Sequence, residues 1–77
     1  MPPDERYATL SASLTQARKD SGLTQSELAR RLGRLQPYVS KYESRERRLD
    51  VVEYLDICRA LGVDACNLLA ELEGTHE

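Results

Sequence analysis

The side chains in this sequence with the clearest capacity for chemistry are its arginines and lysines, which are concentrated in one stretch. Residues 18–48 hold nine basic residues against four acidic ones, whereas residues 49–77 hold one basic residue against seven acidic ones. The net charge of −2 argues against a nucleic-acid partner, but a protein with one positive flank can still bind a polyanion on that side. Solvated helix faces would give the same charges, so charge alone does not choose between the two interpretations.

Catalytic and metal-binding chemistry have little support in the other residues. The single histidine, His76, is next to last in a polar tail, and there is no Ser/His/Asp set, metal-ligand cluster or glycine-rich phosphate loop. Cys58 and Cys66 are too few and too far apart for a disulfide framework, and their apolar neighbours indicate small packing residues in helices. We therefore expect neither an enzyme nor a bound metal or cofactor.

Length and hydropathy limit the class of protein. At 77 residues the chain should form a single domain with a thin core, which we place at residues 5–73 with a tail at 74–77. No apolar run reaches the roughly 18 residues needed to span a membrane. The first residues lack the basic and apolar regions of a signal peptide. We expect a cytoplasmic protein.

The stretch that contains the basic residues is predicted to form helices, and their starts are marked by clear N-cap signals. Thr24-x-x-Glu27 and Asp50-x-x-Glu53 have the spacing of a capping box, and Asp4 and Asp64 are further candidate N-caps. Between these signals, apolar residues recur at helical spacing and no segment alternates with period two. The pattern predicts an all-α, compact five-helix domain, with helices over about 4–21, 25–32, 36–44, 51–61 and 65–73.

The link between the second and third helices carries the functional signal. It consists of Gly33, Arg34 and Leu35, and a short turn containing glycine between two helices is typical of a helix-turn-helix, whose second helix enters the DNA major groove. Ala29 is small where the two helices must approach each other. The inward faces that hold the pair together are expected at Leu28, Leu32, Val39 and Tyr42.

Residues 14–69 resemble the Cro and lambda-repressor-like (XRE-type) helix-turn-helix family, most clearly in the run Gly-Leu-Thr-Gln-Ser-Glu-Leu-Ala-Arg-Arg-Leu-Gly at 22–33. The resemblance implies sequence-specific binding to double-stranded DNA by a small transcriptional regulator, a repressor or controller. It assigns base readout to Gln36, Pro37, Ser40 and Lys41. It assigns contacts to the DNA backbone to Gln25, Tyr38, Arg45, Arg47 and Arg48. It also implies a salt bridge between Arg18 and Glu43, on the first and third helices.

Three residues depart from the family pattern. Arg45 stands where glycine is usual, so either it adopts a left-handed conformation, at about 1 kcal/mol, or the turn differs. Arg34 replaces an apolar residue, and we expect its stem to cover the core while its head reaches water. Leu35 replaces the usual Ser or Thr cap, so we expect the recognition helix to begin at Gln36, with Pro37 in its first turn.

Surplus apolar residues in the acidic half predict a homodimer acting on an inverted-repeat operator. The expected interface is formed by Val51, Val52, Val63, Leu69 and Leu72. A different class of function stays open, in which the fold is kept as a protein-interaction module, antitoxin-like or an adaptor, with little DNA binding. No small-molecule ligand is indicated by the sequence.

Overall fold

Five helices make up the computed structural model, which describes residues 3–74. They are α1 (Pro3–Asp20), α2 (Gln25–Arg31), α3 (Gln36–Glu43), α4 (Val51–Leu61) and α5 (Ala65–Gly74). No strand occurs between residues 3 and 74, so the predicted all-α, five-helix class is confirmed. Gly74 is the last residue of α5 and not the start of a tail, while 75–77, including His76, lie outside the described residues.

The starts of α2 and α4 are fixed by two capping boxes, as predicted. The Thr24 side chain accepts from the Glu27 N–H at 3.1 Å, and the Glu27 carboxylate accepts from the Thr24 N–H at 2.9 Å. Asp50 and Glu53 make the same reciprocal pair at 2.8 and 2.9 Å. These contacts satisfy backbone donors that a helix start otherwise leaves unpaired. Their reciprocal geometry also holds the pKa of the Glu27 carboxyl below its usual range, chiefly through hydrogen bonding from Thr24.

The two further N-cap predictions have different outcomes. Asp64 caps α5, since its Oδ1 accepts from the N–H groups of Cys66 and Asn67 at 2.8 and 3.1 Å. The prediction for Asp4 is wrong: α1 begins at Pro3, so Asp4 lies within the first turn. Its carboxylate accepts from Arg48 Nη2 at 3.0 Å, a tertiary contact between two exposed side chains.

The core is formed where α1, α2, α3 and α4 meet. Its buried residues are Leu14, Leu28, Ala29, Val39, Tyr42, Tyr54, Ile57, Cys58 and Leu61. Cys58 therefore packs as predicted, but Cys66 is exposed, because it falls on the outer face of α5. No helix within residues 3–74 combines the length and apolar character needed to cross a bilayer.

The α2–turn–α3 unit is closed by its own core residues. Leu28 and Ala29 of α2 and Val39 and Tyr42 of α3 are all at most 1% exposed. Gly33 has φ +69°, a left-handed conformation that residues with a Cβ adopt at a cost. The following N–H, of Arg34, donates to the Ala29 carbonyl at 2.8 Å. The turn thus reverses the chain directly onto α3.

Candidate nucleic-acid interface

Helix α3 is held at its carboxyl end by polar contacts from α1. The buried Ser11 hydroxyl donates to the Tyr42 carbonyl at 3.0 Å. Two turns further along α1, Arg18 forms a two-pronged salt bridge with Glu43, with Nε to Oε2 at 2.7 Å and Nη2 to Oε1 at 3.1 Å. Arg18 Nη1 also donates to the Leu23 carbonyl at 2.7 Å. The structure thus brings together the two residues that the family resemblance paired.

This salt bridge is almost fully enclosed. The side chains of Arg18 and Glu43 are 10% and 7% exposed, so water cannot take the place of either partner. The hydrogen bond to Glu43 raises the pKa of the Arg18 guanidinium against the opposing effect of burial. Charge-assisted, two-pronged pairs of this kind fix orientation as well as adding energy. The carboxyl end of α3 therefore has one position relative to α1.

A chain of two glutamines extends the salt bridge to the amino end of α3. Gln25 Nε2 donates to Glu43 Oε1 at 2.9 Å, and Gln36 Nε2 donates to Gln25 Oε1 at 2.7 Å. Gln25 is half-buried and Gln36 is exposed. The amide of Gln36 keeps its carbonyl oxygen and one N–H for an outside partner, so its orientation is fixed before any ligand arrives.

The outward face of α3 presents the other residues expected to read bases. Pro37 and Lys41 are exposed and Ser40 is half-buried. Lys41 has no ion-pair partner among residues 4–74. At the N-cap, Leu35 makes no side-chain capping hydrogen bond and is 80% exposed. The helix begins at Gln36 with Pro37 in its first turn, as the departures from the family pattern indicated.

Arg45, which follows α3, takes the left-handed conformation. Its φ is +68°, the one positive φ at a non-glycine position between residues 3 and 74. Its N–H donates to the Tyr42 carbonyl at 3.2 Å, and the next N–H, of Glu46, donates to the Lys41 carbonyl at 2.9 Å. The side chain is exposed and pairs with no acid in the described part of the chain. We expected either a left-handed Arg45 or a different turn, and the structure has the left-handed Arg45 in an otherwise standard turn.

The next two arginines are occupied within the molecule. Arg47 pairs with Glu53 through both prongs, at 2.6 and 3.1 Å, and Arg48 pairs with Asp4 at 3.0 Å while stacking 4.7 Å above the Tyr7 ring. The hydrogen bond from Arg47, together with that from the Asp50 N–H, lowers the pKa of Glu53 to about 2. The loop therefore presents less free positive charge than its sequence suggests.

Tyr38 gathers two cations that sequence reasoning did not bring together. The guanidinium groups of Arg34 and Arg47 lie 4.6 and 4.7 Å from the centroid of its ring, within the range of cation–π attraction. Arg34 is exposed, and its guanidinium, which we expected to reach water, lies over the half-buried Tyr38 ring. The i, i+4 spacing of Arg34 and Tyr38 was visible in the sequence, but it spans a turn and a helix start, where spacing does not report proximity.

The residues expected at a dimer interface divide into two groups. Val51, Val52 and Leu69 are 73%, 65% and 46% exposed, whereas Val63 and Leu72 are half-buried. Leu55, which the sequence analysis did not assign to the interface, is 45% exposed and lies one turn from Val51. No group of three or more His, Cys, Asp or Glu side chains able to hold a metal occurs within the described range.

The sequence and the fold of this chain are similar to those of known helix-turn-helix proteins. The profile of the helix-turn-helix domain family matches residues 9–72. An XRE-family like protein from Pseudomonas syringae pv. tomato is 50% identical, with a TM-score of 0.92 over 96% of this chain and 90% of that one. The clp gene regulator ClgR from Corynebacterium glutamicum is 27% identical, with a TM-score of 0.81 over 100% of this chain and 97% of that one. A search of curated proteins finds no significant match.

Proposed function

Because this chain belongs to the XRE-type helix-turn-helix family, a family of DNA-binding transcriptional regulators, we propose that it is a sequence-specific repressor or controller acting in the cytoplasm on an inverted-repeat operator. The observation that carries the proposal is the arrangement of α3. The helix is anchored by a buried salt bridge at one end and exposes Gln36, Pro37 and Lys41 on its outer face.

In this proposal α3 reads bases from the major groove. Lys41 is an exposed cation that can donate to guanine O6 and N7, and Gln36 is oriented to pair with an adenine edge. Pro37 and Ser40 contact the neighbouring base pairs, and the exposed Leu35 packs against a thymine methyl group. Since Gln36 is fixed by Gln25, it loses little side-chain freedom on binding.

Contacts to the DNA backbone come from residues on either side of α3. Gln25 at the start of α2, Tyr38 and the loop arginines Arg45, Arg47 and Arg48 are the proposed contacts. Arg45 is the strongest of these because no acidic side chain in the described residues competes with phosphate for it. Arg47 and Arg48 must share or exchange their acidic partners, Glu53 and Asp4, in order to bind phosphate.

Two variants separate base readout from backbone contact. Lys41→Ala should lose about 1–3 kcal/mol on the selected operator and little on random duplex. Arg45→Gly should weaken both duplexes alike and reduce the salt slope of log K by about 0.9. The measurement is fluorescence anisotropy on both duplexes at several salt concentrations, after selection of bound sites from a random duplex library. Equal losses on both duplexes for Lys41→Ala would remove it from the readout set.

We further propose that the protein binds as a two-fold dimer through α4 and α5. The interface would contain Val51, Val52, Val63, Leu69 and Leu72, with Leu55 added because it is exposed beside Val51. A self-complementary interface needs few apolar residues from each copy. Two recognition helices would then lie about 34 Å apart, one turn of DNA, which accounts for an inverted repeat.

The dimer is tested with Val52→Asp, since the side chain is 65% exposed and the change should not disturb the core. Sedimentation equilibrium at tens of micromolar should give about twice the chain mass of 8.7 kDa for wild type and the single mass for the variant. Ser26→Asp, an exposed position on α2, is the control and should stay dimeric. A wild-type mass of 8.7 kDa, with a selected site lacking symmetry, would contradict the dimer.

A protein-interaction module is the second candidate, and it is favoured by the exposed apolar residues Val51, Val52 and Leu55 in the acidic half. As an antitoxin-like or adaptor protein, the chain would keep the fold and bind a partner through α4. Titration of random duplex separates the two functions, because a pure interaction module should show no salt-dependent binding.

A further inference from the structure

We infer that Arg34 is an additional contact to the DNA phosphate backbone and that the Tyr38 ring holds it in position for that contact. The inference rests on the proposed DNA-binding function and adds to it a residue that neither the family pattern nor the sequence analysis assigned. It starts from the stack of Arg34 and Arg47 on Tyr38, at 4.6 and 4.7 Å from the ring centroid.

The two arginines on this ring differ in their charge balance. Glu53 accepts from both prongs of Arg47 and is itself 13% exposed, so the charge of Arg47 is balanced within the molecule. Arg34 has no acidic partner within residues 4–74, and its side chain is exposed. The stack therefore carries one unbalanced positive charge, and that charge belongs to Arg34.

The position of Arg34 places that charge beside the recognition helix. Arg34 lies in the turn, directly before the N-cap residue Leu35, and Tyr38 lies in the first turn of α3. A guanidinium stacked on a ring is held by its face, which leaves its edge N–H groups free to donate. A phosphate oxygen is the acceptor that suits a cation outside the helix, since it requires no alignment with a base edge.

Tyr38 acts here through its ring and not through its hydroxyl. Burial and the nearby Glu53 carboxylate raise the pKa of the Tyr38 phenol, so the hydroxyl stays neutral. Tyr38 also packs edge-on against the buried Tyr42, with ring centroids 5.9 Å apart. Arg34 thus rests on a ring that the core holds still.

The test uses Arg34→Gln, with Arg59→Gln as the matched control. Arg59 is an exposed arginine on α4, among acidic residues, and contacts no aromatic ring in the described structure. Affinity for a labelled random duplex is measured by fluorescence anisotropy between 50 and 200 mM salt. Wild type should lose affinity steeply over this range. Between 50 and 200 mM salt, the fall in affinity of Arg34→Gln should be about 3- to 4-fold smaller than that of wild type. This is the difference expected when one phosphate contact, with a slope of about 0.9, is removed. Arg59→Gln should follow wild type.

Two further variants test the role of the ring. Arg34→Lys keeps the charge without the planar stack, so it should keep the wild-type salt slope while binding several-fold more weakly. Tyr38→Leu removes the ring, so it should change affinity less in an Arg34→Gln background than in wild type. Equal affinities for Arg34→Lys and wild type would overturn the positioning role of Tyr38. Thermal melts of all variants check that folding is intact.

The outcomes also separate this inference from the function on which it rests. A steep wild-type slope that Arg34→Gln leaves unchanged would overturn the contact while leaving DNA binding established. A loss confined to the selected operator would show a base contact and overturn the assignment to phosphate. No salt-dependent binding by wild type would overturn the proposed function and the inference together.

Discussion

Among single substitutions of polar side chains, Glu43→Ala should lower the stability of the fold most. It accepts three hydrogen bonds, from Arg18 Nε, Arg18 Nη2 and Gln25 Nε2. Glu43→Ala removes all three and leaves the Arg18 guanidinium, whose side chain is 10% exposed, without its counter-charge. The bond from Arg18 Nη1 to the Leu23 carbonyl remains and holds the group in place.

The size of the loss follows from that enclosure. Breaking a buried pair from one side costs about 3–5 kcal/mol, and the remaining bond to Leu23 puts this case near 3 kcal/mol. A domain of this length is stable by roughly 4–12 kcal/mol, and each 1 kcal/mol shifts the melting temperature by about 4–8 °C. Glu43→Ala should therefore melt at least about 12 °C below wild type.

Thermal unfolding followed by circular dichroism at 222 nm measures the effect. Glu46→Ala is the matched control, since that glutamate is exposed and should change the melting temperature little. The double variant Arg18→Met with Glu43→Leu should recover most of the loss, because no uncompensated charge is left. A melt of Glu43→Ala within about 2 °C of wild type would refute the reasoning, as would a double variant no more stable than the single one.

Three other properties can be checked on the same protein. Arg45→Gly should raise the free energy of unfolding by about 0.5–1 kcal/mol in denaturant titrations. Glycine adopts φ +68° without the Cβ clash, and this gain is partly offset by the greater entropy of glycine in the unfolded chain. An unchanged free energy of unfolding would show that Arg45 is not strained. Glu53→Gln should be less stable than wild type at neutral pH. The difference should shrink as pH falls from about 5 toward the pKa of about 2 that Arg47 gives Glu53, because the stabilising carboxylate becomes protonated. A difference in denaturant midpoint that does not change with pH would contradict this. In the native state a thiol reagent should label Cys66 and not Cys58, because Cys58 is buried and burial raises the pKa of its thiol; rapid labelling of two thiols per chain would disagree with that burial.

The helices could be predicted because their signals are local. A capping box is decided within four residues, and the boxes at Thr24 and Asp50 set the starts of α2 and α4. All five helices were predicted to within one residue at each end. The N-cap prediction for Asp4 failed because α1 begins one residue earlier, at Pro3. The contact of the Asp4 carboxylate with Arg48 was also not predictable, since no local rule includes a partner 44 positions away.

The candidate site was less predictable because arginine side chains are long. The sequence shows how many cations stand around α3, but several acids lie within reach of each one. The structure assigns Arg47 to Glu53 and Arg48 to Asp4, and leaves Arg34 and Arg45 without acidic partners in the described residues. Which cations face outward thus depends on the path of the loop from α3 to α4, which spacing does not encode.

A hydrogen-bonded chain runs from Arg18 through Glu43 and Gln25 to Gln36. It separates the positions on the outer face of α3 that are connected to the buried salt bridge from those that are not. Exposed Pro37 and Lys41 make no side-chain hydrogen bond within residues 4–74, so new residues there can alter DNA preference without affecting folding. Gln36 is different, because it is connected through Gln25 to the buried Glu43. A lineage or a library that diversifies this face should therefore drift readily at Pro37 and Lys41, whereas changes at Gln36 should persist mainly where a second substitution at Gln25 restores the connection.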